Sequence, residues 1–205
     1  MVGSLLTIPL PRQPLDPGDR ARRWYENELG WATVPAPAES PGSPVRLRVG
    51  DRFDVLDVPA EAGRAGLRHL APGSPVAVQG DRMRLLVAAG SAEELPGLLD
   101  WLEWGALTLD LTATGEGGAM DAPLPPGPEP ADVRPADRSG ALQGAAVWLR
   151  PPEPGCEVEA SLPTLMSAVG GGGGAPDLVR LVDTVATHCH RLRLRRACAR
   201  PLTLP

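Results

Sequence analysis

A chain of 205 residues, 42% hydrophobic and 22% charged, holds enough apolar material for one sizeable core, so one globular domain with short extensions is expected. A formal charge of -5 and a pI near 5.2 exclude a protein that coats nucleic acid over its whole surface, while leaving room for a local basic patch. All 20 basic residues are arginine and the single isoleucine is Ile8, the bias of a GC-rich bacterial coding sequence.

Cys156, Cys189 and Cys198 are odd in number and lack C-x-x-C spacing, so reduced thiols are expected, not a disulfide framework or a zinc site. The stretch Met1 to Leu10 has no basic flank and is followed closely by Pro11 and Pro14, which argues against a signal peptide or membrane span and for a cytoplasmic protein.

Residues 1–17 form a proline-rich lead ending at Asp16 or Asp19 as a helix N-cap, and the helix that follows is expected to run to about Leu29 with Gly30 as its C′ residue. Trp31 to Pro35 has the composition of a short strand, and Trp24, Tyr25 and Trp31 form a candidate aromatic core. Past a Pro/Ser/Gly loop, Val45 to Val49 alternates with period two and Phe53 to Val58 is again strand-like. Pro59 to Leu70 suits a helix opening on proline, weakened by Gly63 and Gly66.

Strands near 75–79 and 82–88 flank Gly80-Asp81, a hairpin turn signal. A helix from the cap-like Ser91 to Glu103 and a strand over Ala106 to Leu111 come next, then a loop-rich stretch from Thr112 to Gly144 with a proline run inside 122–137. Ala145 to Leu149 is a last strand. A glycine hinge at 170–175 precedes an amphipathic helix from Pro176 to about Arg196, with Leu178, Leu181, Val182, Val185, Cys189 and Leu192 on one face. Helices and strands that do not simply alternate predict an α+β fold with a mixed or antiparallel sheet, and the C-terminal helix packed on the body.

The chemistry turns on acid spacing. Asp54 and Asp57 are three apart, so a straight strand points them to opposite faces, and the position two after Asp57 is Pro59, which has no ligand atom. A bulge at Val55-Leu56 would be needed to bring Asp54, Asp57 and a third acid, Asp110, together. Arg82 and Arg84 share a strand face and suit a phosphate or carboxylate, and Arg191, Arg193, Arg195 and Arg196 offer salt-sensitive phosphate neutralisation or a solvated helix face. His188 and His190 are two apart on a helix and do not share an ion readily. Gly115 to Gly118 lacks the Lys-Ser/Thr of a phosphate loop, and His69 has no placed nucleophile.

Arg23 to Pro35, with its helix followed by Gly-Trp-x-x-Val-Pro, and Asp54 to Gly63, an apolar strand with acids before a glycine, resemble the N-terminal domain of bifunctional DNA primase/polymerases, the prim-pol branch of the archaeo-eukaryotic primases. Arg82 to Val87, Leu109-Asp110-Leu111, Gly118 to Pro126 and Trp148 resemble further landmarks, so that the likeness spans roughly residues 20–150. The resemblance implies an RRM-related core in residues 18–169. It places Asp57 and Asp110 as catalytic, metal-holding carboxylates for Mg2+ or Mn2+, with Pro59 where the second ligand of the metal motif belongs and Met83 or Arg84 in place of a nucleotide-contacting histidine. The expectation is a catalytically degenerate module whose partner is single-stranded DNA or a nucleotide, or a protein met through the proline-rich loop. The alternatives are an active polymerase with an unusual metal site and a structural or regulatory docking domain.

Overall fold

A computed structural model describes residues 17–35, 43–126, 144–165 and 177–199. The lead over 1–16, most of the proline-rich loop and the glycine hinge lie outside the described residues. The architecture is α+β: antiparallel sheets with helices on them and a long C-terminal helix.

Helix α1 covers Pro17–Arg23 and widens into a π turn over Trp24–Glu28, which Trp31 closes by donating its N–H to the Tyr25 carbonyl at 2.8 Å, with Gly30 at φ 65°. Strands β1 (Thr33–Val34), β2 (Arg46–Arg48) and β7 (Ala119–Asp121) make a small sheet in the order β1-β2-β7. The main sheet runs β6-β3-β5-β4-β8, from β3 (Phe53–Pro59), β4 (Val76–Gln79), β5 (Arg82–Ala88), β6 (Thr112–Thr114) and β8 (Val147–Arg150), with every pairing antiparallel.

Alternation along the pleat divides the core in two. Leu56, Val58, Met83, Leu85 and Val87 face α2 (Ala60–Gly66), α3 (Ser91–Trp101) and α4 (Leu178–Cys198). Phe53, Val55, Leu86 and Ala77 face the small sheet, Tyr25 and Trp31. Trp31 packs on Phe53 with ring centroids 4.6 Å apart, and buried Tyr25 donates its hydroxyl to the Pro123 carbonyl at 2.6 Å while accepting from Trp148 Nε1 at 2.9 Å. Burial holds that phenol well above its ordinary pKa, against the lowering effect of the Trp148 bond.

Three expectations change. Residues 106–111 form no strand but a turn and irregular chain, with Leu107 N–H bonded to the Trp104 carbonyl at 3.0 Å, and the chain joins the sheet only at Thr112, opposite Asp57. Inside the stretch expected to be irregular, β6 and β7 form, the latter because Met120 buries against β2. Ser91 is no N-cap; it is the first residue of α3 and is buried, and Gly90 at φ 89° precedes it. The α4 expectation holds, with Leu178, Leu181, Val182, Val185 and Cys189 buried on the body and Asp177 capping Val179 and Arg180.

Candidate functional site

The register of β3 against β5 runs without interruption from Phe53↔Ala88 to Pro59↔Arg82, so there is no bulge at Val55-Leu56. Asp54 and Asp57 therefore stay on opposite faces. Asp54 is fully buried on the helical side, where Oδ2 accepts the Ala92 N–H at 2.8 Å, so that a carboxylate from β3 caps α3. Its Oδ1 is buried without a hydrogen-bond partner. Desolvation raises its pKa, outweighing the amides of Ala92, Gly90 and Ser91, while the charge of Glu93 raises it further.

Asp57 and Asp110 do come together, around an arginine. Arg82 donates Nε to Asp57 Oδ1 and Nη1 to Asp110 Oδ1, both at 2.5 Å, and Nη2 to the Asp57 carbonyl at 3.0 Å. The remaining carboxylate oxygens are also taken: Asp57 Oδ2 by Arg84 Nε at 3.2 Å and Asp110 Oδ2 by Arg196 Nη1 at 3.3 Å. Burial works to lower the pKa of Arg82, but the bonds and charges of Asp110 and Asp57 raise it overall, so this cation is held fully charged.

An ion bridging the two acids would have to displace the guanidinium, and among the described residues no group of three His, Cys, Asp or Glu side chains is placed to hold one. The expectation that Asp57 and Asp110 hold Mg2+ or Mn2+ does not fit this arrangement. Each carboxylate oxygen already accepts a charge-assisted bond.

Arg84 is half-buried, and its Nη1 has no hydrogen-bond partner. Beside Asp110 opens a cavity of about 560 Å³ lined by Thr108, Leu109, Asp110, Cys189, Arg193 and Arg196, among others. Arg193 donates to the Thr108 carbonyl at 2.8 Å, and Arg195 pairs with Glu61 at 2.7 Å. Arg191 is exposed and makes no ion pair among the described residues. Around the cavity and the acids, four guanidiniums (Arg82, Arg84, Arg193 and Arg196) face two carboxylates, a positive excess on a chain of charge -5.

Cys189 sits under this cluster, its thiol donating to the Asp110 carbonyl at 3.4 Å and its pKa pushed up to about 11 by burial and by the Asp110 charge. That makes it a packing residue, not a nucleophile. At the junction with α4, His69 Nε2 accepts from Arg68 Nε at 3.0 Å, which requires that nitrogen to be unprotonated, and lies 2.8 Å from the hydroxyl of buried Thr184.

The spacing of the acids carried no sign that a guanidinium would lie between them. The usable signal was the cross-strand match of Arg82 and Arg84 with Pro59 and Asp57, which appears once β3 and β5 are paired. Comparison with family models, with curated proteins and with solved structures finds no match. Among the described residues no helix is long and apolar enough to cross a membrane.

Proposed function

We propose that the chain is a prim-pol-like module that has exchanged metal-dependent nucleotidyl transfer for association with phosphate-bearing ligands, single-stranded DNA or a nucleotide. The observation that carries this reading is Arg82 seated between Asp57 and Asp110, which pairs with both acids and stands where an ion bridging them would have to sit, while Arg84 and Arg196 take their remaining oxygens. The excess of guanidiniums supports the second half. Each of Arg193, Arg195 and Arg196 spends a single N–H on the body and keeps further donors in solvent, and Arg193 and Arg196 do so at the wall of a cavity in the size range of small-ligand sites. Stacking residues are missing from this end of α4, so binding is sequence-tolerant and driven by counterion release.

The test is anisotropy of fluorescent single-stranded DNA titrated with the protein at low and moderate salt, alongside primer extension with Mg2+ and with Mn2+. Binding that weakens with salt and with Arg191/Arg193/Arg195/Arg196→Ala, with no incorporation, is the expected result. Three of those arginines also dock α4, so circular dichroism of the variant and a single Arg191→Ala keep loss of charge separate from loss of fold. No binding at low salt refutes the association, and incorporation abolished by Asp57→Ala restores the polymerase reading.

A further inference from the structure

Along α3 lies an apolar groove of about 460 Å³ walled by Glu94, Gly97, Leu98, Trp101, Leu165 and Val179. Trp101 is 72% exposed, the most of any large hydrophobic side chain described, while Leu98 beneath it is 6% exposed. A tryptophan held open beside a buried leucine is costly to leave in water and is the residue type that anchors interfaces. One turn earlier Gly97 leaves a notch: a Cβ added there meets no atom within 4 Å. Knob and notch lie side by side on one stripe, four residues apart.

The charges decide what fits. Helix α3 carries Glu93, Glu94 and Asp100 and no basic residue, and Glu103 follows it. Glu94 stands in the groove wall, and neither it nor Asp100 or Glu103 makes an ion pair among the described residues. The cation next along α4, Arg180, is tied to Asp177 at 3.4 Å. Glu94 in the wall, on a helix that carries no cation, disfavours a nucleic-acid backbone, an anionic membrane and a second copy of the same acidic helix. It favours a ligand with apolar anchors and cationic flanks.

We propose that this groove is a docking site for a basic amphipathic protein segment, which lays its apolar face on Gly97, Leu98, Leu165 and Val179. Its arginines or lysines would run along Trp101 toward Glu94. The helix-in-groove mode supplies the apolar contact, and a cation over the indole face adds to it. The site is separate from the arginine cluster around Asp110, and neither proposal depends on the other.

The probe is a fluorescein-labelled helical peptide with leucines on one face and arginines on the other, compared with a twin in which glutamates replace the arginines. The full chain should bind the basic peptide, discriminate against the acidic one, and lose about tenfold or more in affinity on Trp101→Ala. Glu94→Gln should weaken binding less and reduce its salt dependence. An unchanged melting temperature in Trp101→Ala is part of the expectation. Equal binding of both peptides, or binding indifferent to Trp101→Ala, overturns the proposal. So does a dimer in sedimentation equilibrium that Trp101→Ala dissociates, which makes a second copy the occupant, and so does a marked fall in melting temperature, which makes Trp101 part of the chain's own packing.

Discussion

Asp54 shows how one residue can serve two elements at a cost that depends on pH. It lies near the start of β3, an inner strand of the main sheet, yet caps α3, and its Oδ1 has no partner, so the ionised form is disfavoured in the fold relative to the unfolded chain. A carboxyl raised above the ordinary value of 3.8 contributes stability that is fully present below 3.8 and is lost as pH rises through the folded pKa. Asparagine keeps an acceptor for the Ala92 amide and cannot ionise. Denaturant unfolding of Asp54→Asn from acid to neutral pH should therefore show the variant gaining on the natural protein as pH rises, and the two should run parallel at the acid end. A difference that stays constant across the range would mean that ionisation of Asp54 carries no folding penalty.

Glycine content illustrates the same point one scale up, for the helices. By propensity Gly63 and Gly66 weaken α2, but a Cβ at Gly63 would lie 2.5 Å from Met83 Sδ, and one at Gly66 would lie 2.9 Å from Leu181 Cδ1. Their lack of side chains is what lets α2 settle between β5 and α4. Gly97 of α3 has open space where its Cβ would be. Gly63→Ala is expected to destabilise by about 1–3 kcal/mol through overpacking, less the roughly 1 kcal/mol that alanine returns in helix propensity, whereas Gly97→Ala should stabilise by roughly 0.5–1 kcal/mol. Urea unfolding of the two variants side by side distinguishes them by sign. The strands of high apolar content and the α4 stripe were legible in the sequence because their periodicity is local. The capping of α3 by Asp54, the β7 pairing and the bracketing of Arg82 were not, since each joins residues dozens of positions apart.

At the level of the whole molecule, the main sheet is a wall between two cores, and α4 closes the larger one. Leu181, Val182 and Val185 cover the face that Leu56, Val58, Met83 and Leu85 present, and Arg195 and Arg196 add contacts at the end of the helix that are exposed and therefore worth about 1 kcal/mol or less each. The apolar contact, not the arginines, holds the helix in place. Removing residues 177–205 should abolish cooperative thermal unfolding and expose dye-binding surface, while the quadruple arginine variant keeps a single transition. Retention of a sharp transition in the truncated chain would show that the remaining layers suffice.

The position of α4 in the chain has a consequence in time. The strands that form the wall, with α2 and α3, are translated before residues 178–198, so until those are made the larger core lacks the apolar face that Leu181, Val182 and Val185 supply. A nascent chain stalled in that interval presents the side of α2 and the sheet that this helix will cover, Gly66 and Leu85 among it, to its neighbours. The slower that stretch is read, the longer this surface stays open to association with other chains.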